Sequence, residues 1–174
     1  MLNIYSLFIF LPIFMFGCTP NVMEENKVIQ KIDSLDMNIF SKSGDKIYSI
    51  TSPNSSYNTI ELKFELKKPI INIFKGDEIK YIISSEESTL SDNNKLLKLN
   101  GNVKLKTFNQ DQDVLYADSF IWNIEETNYL LEGNIRFENQ NIILNSGKAK
   151  LGSDNIIEFF NPVKYILKLS LIHI

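Results

Sequence analysis

The sequence predicts an all-β fold built from one repeated unit, and two observations lead to this prediction. The segment 99–105 (LNGNVKL) recurs thirty-two residues later as segment 131–137 (LEGNIRF), with Leu, Gly and Asn unchanged. From Met37 onward, apolar and polar residues alternate with a period of two, which is the pattern of strands with one buried face. A fixed period of this size indicates a repeated unit, here two strands and two polar turns. Such units bury their apolar faces by packing against one another.

The repeat extends beyond these seven residues. At the same offset Ser85 aligns with Ala117 and Leu90 with Trp122. A third, shorter copy lies at an offset of 28, where residues 157–165 match residues 129–137. This last copy is degraded, as terminal repeats often are. We therefore expect one β domain that spans residues 37–174.

Composition agrees with a single β domain attached to an anchor. The chain has 174 residues, a formal net charge of −3 and 44% hydrophobic residues, with seven Gly and five Pro. This length fits one domain and the apolar content can fill a core. The low Gly and Pro content argues against disorder. The charge implies no broad basic surface, so nucleic acid is not an expected partner.

The first seventeen residues are predicted to be a signal peptide or membrane anchor. Residues 2–16 are almost wholly apolar, but too few for a span of roughly 20 residues. They lead to Gly17 and Cys18, the only cysteine, and this arrangement resembles a bacterial lipobox. The resemblance implies that Cys18 is lipidated after cleavage before it. The alternative is a short uncleaved anchor, and either places the remaining chain outside the cytoplasm.

Residues 18–36 are expected to form a tether. Val28, Ile29, Ile32 and Leu35 have a weakly helical spacing and could line one face of a short helix. A flexible linker is the equal alternative. No disulfide is available to the chain, so its stability must come from the β core.

The β domain is predicted strand by strand from its alternation and its turns. A hairpin is expected around Ser43–Asp45, and the clearest strand is residues 60–67, whose alternate residues are apolar or charged. Further strands are expected on both sides of the Gly76–Asp77 turn and around residues 97–105, 129–137 and 163–171.

Gly101 and Gly133 interrupt their strands at inward positions. Asn100–Gly101 alone could form a two-residue hairpin turn. The equivalent pairs in the other copies, Glu132–Gly133 and Phe160–Asn161, are poor hairpin turns. A geometry shared by all copies therefore favours a bend or bulge in a continuing strand. The sheet would then be V-shaped with an apolar crease.

The sequence gives little support to catalysis or to metal binding, and no cofactor is expected. Its only histidine is His173, next to the C-terminus, so no Ser/His/Asp or Cys/His set can form. Asp111, Asp113 and Asp118 match no calcium-loop spacing and are expected to be solvated turn residues. The chain is therefore predicted not to be an enzyme.

These motifs resemble the periplasmic lipopolysaccharide-transport family of LptA, LptC and OstA-like β-jelly-rolls. The resemblance rests on the Leu-x-Gly-Asn-Val/Ile-x-Leu/Phe repeats and on residues 116–118 (YAD) before Phe120 and Trp122. Upstream, residues 40–50 and 66–74 resemble the first hairpin and the second strand pair of the LptC branch. The family implies antiparallel strands in a folded sheet, the β-taco, with an open apolar groove and no enzymatic activity.

In such a protein the groove would hold the acyl chains of lipid A while the sugars and phosphates stay in water. At about 0.8 kcal/mol per buried methylene, acyl chains do not cross water unaided. The inward apolar positions are therefore candidates for lining the groove, although for any single one of them ordinary core packing is the more common role. They are Leu62, Phe64, Ile71, Ile73, Leu97, Leu99, Val103, Leu105, Phe120, Trp122, Tyr129, Leu131, Ile135 and Phe137.

The resemblance also implies partners: an inner-membrane ABC exporter and an LptA-like bridge protein that joins edge to edge. The last strand ends without a polar cap, and an unpaired apolar strand invites pairing with another chain. The candidate partner edge comprises Val163, Tyr165, Ile166, Leu167, Lys168 and Leu169. The expected location is the periplasmic side of a membrane, with the inner membrane favoured and the outer membrane as the alternative.

Two other functions remain open. One is a structural envelope lipoprotein whose sheet edges bind protein partners and whose interior is simply packed. The other is a parallel β-helix acting on polysaccharide. That class needs carboxylates on one face of successive coils, and none recurs with the 32-residue period.

Overall fold

Strands are the only regular elements in the part of the chain that the structure describes. The structure, a computed structural model, describes residues 29–91, 93–107, 113–126, 129–152, 154 and 156–168. The strands are β1 (Ile29–Phe40), β2 (Lys46–Asn58), β3 (Lys63–Lys67), β4 (Ile70–Lys75), β5 (Glu78–Ser84), β6 (Glu87–Ser91), β7 (Leu96–Thr107), β8 (Val114–Asn123), β9 (Tyr129–Glu138), β10 (Ile142–Leu151), β11 (Ile157–Phe160) and β12 (Lys164–Leu167).

The strands form one antiparallel sheet in which neighbours in sequence are neighbours in space. The second half of β2 pairs with β3 and its first half with β4, so β3 and β4 act as two halves of one bent strand. The same holds for β5 with β6, which pair with the two halves of β7, and for β11 with β12 beside β10. With these three pairs each counted once, the twelve strands make a meander of nine bent strands.

Each bent strand crosses from one layer of the fold to the other. The β3 layer contains β3, β6 and β11, and the β4 layer contains β4, β5 and β12; the long strands contribute one half to each. The two layers pack face to face. The ring centroids of Tyr48 and Trp122, from opposite layers, are 5.4 Å apart, and those of Phe137 and Phe159 are 5.9 Å apart. The apolar core lies between the layers.

The line of bends, here called the crease, uses left-handed backbone in alternate strands. Gly101 and Asn102 lie opposite the single residue Asp118, and this two-to-one pairing is a β-bulge. Gly133 and Asn134 repeat the arrangement beside the register shift between β9 and β10. Positive φ angles recur in every second strand along the crease, at Ser34, Lys68, Gly101, Asn102, Gly133, Asn134 and Asn161.

The strands between them cross the crease with a small buried residue. Ser52, Ser85 and Ser146 each donate a hydrogen bond of 2.8 Å to the carbonyl two residues later. Ser52 and Ser146 also reach a carbonyl of the neighbouring strand, Lys67 O at 2.8 Å and Phe160 O at 2.5 Å. Backbone carbonyls that the bend frees from the sheet are thus satisfied from inside.

The main predictions about the fold are confirmed. The sheet is antiparallel, it is bent at Gly101 and Gly133, and the third copy bends at Asn161, between β11 and β12. The hairpin at Ser43–Asp45 connects β1 to β2.

Three expectations about elements differ from the structure. Residues 29–36, expected in a tether, belong to β1, because they pair with β2 along its whole length. The strand expected at 60–67 begins at Lys63, since Asn58 Oδ1 accepts hydrogen bonds from the amides of Ile60 and Glu61 and holds them in a turn. The last strand, expected at 163–171, is β12 (Lys164–Leu167), and residues 169–174 lie outside the described part of the chain.

Candidate functional site

The inner faces of the two layers are lined by apolar residues that lie in register from one edge of the sheet to the other. In the β4 layer this middle row joins nine residues through direct strand pairing, from Met37 of β1 to Tyr165 of β12. Its members are Met37, Ile50, Ile71, Ile83, Leu105, Leu115, Phe137, Leu144 and Tyr165. Opposite it, the middle row of the β3 layer includes Leu66, Ser88, Leu99, Phe120, Leu131, Ala149 and Phe159.

The predicted groove residues fall into three groups. Eleven of the fourteen are buried on the inner faces: Ile71, Ile73, Leu97, Leu99, Val103, Leu105, Phe120, Trp122, Tyr129, Leu131 and Ile135. Phe64 and Phe137 are half-buried and pack against the core cluster. Leu62 does not face the interior from a strand. It lies in the turn before β3 with φ +49° and is 49% exposed.

The interior contains further residues that the sequence-based list omitted. Ile50, Leu66, Ile83 and Leu115 are buried in the two middle rows, and Tyr48 is buried in the row next to them. Their alternation with polar neighbours was a signal that could have identified them. The interior also holds two hydroxyl groups, Ser55 Oγ and Ser88 Oγ, that are buried without a hydrogen-bond partner.

Burial falls toward the edges of the sheet. Phe137 and Leu144 are half-buried, and Tyr165, in the same row, is 66% exposed. Val163, Ile166, Leu167 and Lys168 are exposed as well, and Leu169 lies outside the described residues. Among the described strands, β1 pairs only with β2 and β12 pairs only with β10. Within the described residues, the apolar interior is therefore closed at its centre and has no further strand beyond its C-terminal edge.

The outer face carries charged pairs between neighbouring elements. Lys148 Nζ lies 2.9 Å from Glu132 Oε1, and Lys168 Nζ lies 3.0 Å from Glu138 Oε1. The hydrogen bond from Lys168 holds the pKa of the Glu138 carboxyl below its usual range, and the charges of Arg136 and Lys168 act in the same direction. These exposed pairs contribute little stability, but they separate a charged outer face from the apolar interior.

The described residues contain no group of three His, Cys, Asp or Glu side chains that could hold a metal ion. Within the same residues there is no helix long and apolar enough to cross a membrane. Cys18 and the predicted signal peptide or anchor, residues 1–17, lie outside the described part of the chain.

Comparison with known proteins identifies the family. The family described as "Lipopolysaccharide-assembly, LptC-related" matches residues 17–163. The fold is similar to the crystal structure of LptH, the LptA homologous periplasmic component of the lipopolysaccharide transport device of Pseudomonas aeruginosa. That match has a TM-score of 0.57 and 6% sequence identity, and it covers 70% of this chain and 95% of LptH. A search of curated proteins found no significant match. The family match covers most of the sequence, from before the first described strand to the end of the crease, and the chain therefore belongs to the LptC-related family of lipopolysaccharide-assembly proteins.

Proposed function

We propose that this chain is a membrane-tethered periplasmic protein that binds lipopolysaccharide by its acyl chains. It would pass the lipid from an inner-membrane ABC exporter toward the outer membrane without a catalytic step. Family membership supports the assignment to lipopolysaccharide transport in the periplasm. The membrane tether, the exporter as the source of the lipid and the direction of transfer are proposed in addition.

The observation that carries the proposal is the nine-residue middle row from Met37 to Tyr165. A row of this kind offers an unbranched acyl chain a continuous apolar path across every strand of the β4 layer. An acyl chain needs no specific chemistry from such a path, because transfer of each methylene out of water is favourable by about 0.8 kcal/mol. Charged residues on the outer face leave the lipid headgroup in water.

The proposed contact with the next protein is the C-terminal edge. Tyr165 continues the middle row beyond Leu144 but has no strand beyond it among the described residues. Addition of a partner strand along β12 would satisfy its outward backbone groups and extend the row into the partner. Pro162, which has no N–H, limits such pairing to the segment after it.

A charge placed inside the groove tests the proposal. Leu99→Asp and Ile135→Asp each introduce an unpaired carboxylate at a buried position, and we expect both to abolish binding of purified lipopolysaccharide. Lys98→Asp is the matched control, because Lys98 lies next to Leu99 on the exposed face of β7. Circular dichroism must show that each variant is folded. Equal binding by folded Ile135→Asp and the unsubstituted protein would refute a lipid-binding interior.

The second candidate is a structural envelope lipoprotein that uses only its edges. The uncovered edge at β12 favours it, since that edge is suited to protein contacts whether or not the interior takes lipid. Detergent-free purification separates the two, because lipopolysaccharide should accompany the chain only under the transport function.

A further inference from the structure

The side of the fold opposite the crease is closed by aromatic residues from both layers. Tyr48 and Tyr81 lie in one row of the β4 layer, joined by Ile73 in direct register. Trp122 and Tyr129 are direct partners in the corresponding row of the β3 layer. In each layer, this row contains the inward-facing residues that lie farthest from the crease. We call these four residues the aromatic clasp and the opening that they cover the mouth.

The clasp residues touch across the mouth rather than along a strand. Tyr48 meets Trp122 edge to face at 5.4 Å between centroids and 71° between planes, and Tyr81 meets Tyr129 at 5.8 Å and 79°. Tyr48 Oη also donates a 3.0 Å hydrogen bond to Asn94 O, in the turn of the opposite layer. Such edge-to-face pairs are favourable beyond their buried area. All four side chains are buried.

Charges on the two lips of the mouth are complementary. The Glu125 carboxyl, in the turn after β8, has its pKa lowered mainly by a hydrogen bond from Lys95 on the same lip, and also by the charge of Lys42 from the opposite layer. The pKa of Lys80, in the β4 layer, is lowered by desolvation and by the charge of Lys75, and the charge of Asp154, in the β3 layer, opposes this lowering. Each lip therefore carries a charge opposite in sign to one on the other lip.

The crease is suited to act as the hinge for this mouth. The ladder of strand pairing shifts register there in three successive strand pairs, β7–β8, β8–β9 and β9–β10. Glycines occupy the bends of β7 and β9, where the backbone is already left-handed. Rotation of one layer about this line would separate the lips and leave the pairing within each layer intact.

From this geometry we infer that the aromatic clasp is a gate through which acyl chains reach the interior sideways. Tyr48 and Trp122 part when lipid is taken up and close again when it leaves. The inference rests on the proposed function, since it concerns how lipid reaches the same interior. The middle rows lie between the clasp and the crease, so an acyl chain that approaches from the side must pass the clasp.

The only tryptophan of the chain is a member of the clasp, and its fluorescence reports the gate directly. On titration with purified lipopolysaccharide we expect the emission of Trp122 to shift and its quenching by acrylamide to rise severalfold. Tyr48→Phe keeps the ring but removes the hydrogen bond to Asn94 O. The loss of one hydrogen bond should speed lipid uptake about fivefold. An unchanged uptake rate, with Trp122 equally protected before and after loading, would overturn the gate.

A bridge across the mouth provides the decisive test. In the full chain with Cys18→Ser, the pair Lys42→Cys and Glu125→Cys is joined by a short bis-maleimide with a reducible spacer. We expect lipopolysaccharide uptake to fall at least tenfold and to return when the spacer is reduced. The matched control is Lys95→Cys with Glu125→Cys, which bridges two residues of one lip whose side chains lie 2.6 Å apart.

The outcomes separate the gate from the proposed function. Slow uptake by the cross-mouth bridge alone supports the gate. Normal uptake by that bridged protein overturns the gate and leaves lipid binding in place. If the unbridged proteins bind no lipopolysaccharide, the proposed function fails, and the gate fails with it.

Discussion

Substitution of Gly133 by Ala should destabilise the protein by a calculable amount. Gly133 has φ +76°, and a left-handed conformation costs a residue with a Cβ about 1–2 kcal/mol. A Cβ at this position would also lie 2.9 Å from both Cβ and Cγ of Asp118, and closer still to Oδ2. Since the Cβ of Asp118 is fixed by its backbone, rotation of that side chain does not relieve the contact, and the two strands must separate.

Such overpacking costs roughly 1–3 kcal/mol, so the free energy of unfolding should fall by about 2–5 kcal/mol in total. The measurement is urea denaturation followed by circular dichroism. Gly76→Ala is the matched control, because Gly76 has φ +63° but nothing within 4 Å of an added Cβ. The free energy of unfolding of Gly76→Ala should fall only by the cost of the left-handed conformation, about 1–2 kcal/mol.

A second-site change tests the cause. Asp118→Gly removes the Cβ that an alanine at position 133 would strike. It also removes the 2.8 Å hydrogen bond from Asn134 Nδ2 to Asp118 Oδ2, so its own cost should exceed the roughly 0.5–1 kcal/mol of glycine in a strand. Combined with Gly133→Ala, it should cost less than the sum of the two single changes by about 1–3 kcal/mol. Equal losses for Gly133→Ala and Gly76→Ala, or strict additivity in the double variant, would refute the steric explanation.

Three further predictions concern the termini and the outer face. Mass spectrometry of the membrane-extracted protein should find an acylated Cys18 as its first residue, and an intact N-terminal methionine would contradict this. A photo-crosslinker at Ile166 should capture a second β-jelly-roll protein and one at Lys98 should not; crosslinks confined to the chain itself would argue against the β12 edge as a docking site. Lys168→Met should raise the pKa of Glu138 toward its ordinary value in an NMR titration, because the 3.0 Å contact with Lys168 is the main cause of the lowered pKa. An unchanged titration would assign the lowering to Arg136.

The repeat could be read from the sequence where a left-handed Gly-Asn pair marks the bend. In β7 and β9 the inward residues keep an even spacing through the crease, from Leu99 to Val103 and from Leu131 to Ile135. The period-two pattern therefore survives the bend. Both strands were predicted from this alternation, and both bends were predicted from the geometry that the repeated copies must share.

The other strands cross the crease differently, and their pattern is broken there. In β8 the inward residues Ala117 and Phe120 are three positions apart, and in β10 the same step separates Ser146 from Ala149. An odd step reverses the parity of the alternation, so no single period-two pattern runs through β8 or β10. Neither was predicted as a strand, and only Phe120 and Trp122 of β8 were expected to face inward. Ser85 and Ser88 make the same step between β5 and β6.

Two further bends are not marked by glycine or asparagine in the sequence. Ser34 and Lys68 adopt positive φ angles of 61° and 47°, although neither residue type is typical of that conformation. Tertiary pairing decides them: Lys68 N donates a 2.7 Å hydrogen bond to Glu86 O, which fixes the bend between β3 and β4. Local sequence therefore revealed three copies of a unit that the structure repeats across the whole sheet.

The odd and even spacings between inward residues on the two sides of the crease together explain where the crease lies. In each of the pairs β7–β8 and β9–β10, the strand with the left-handed glycine has one residue more at the crease than its neighbour. For example, the four residues from Asn100 to Val103 face the three residues from Ser119 to Ala117. The extra residue bends the sheet, while the odd step in the neighbouring strand returns the apolar side chains to the inner face. Bend and apolar path thus depend on the same residue count. A deletion at the crease would move one half of its strand out of phase with the interior, so the residue count that bends the sheet also keeps the apolar rows continuous.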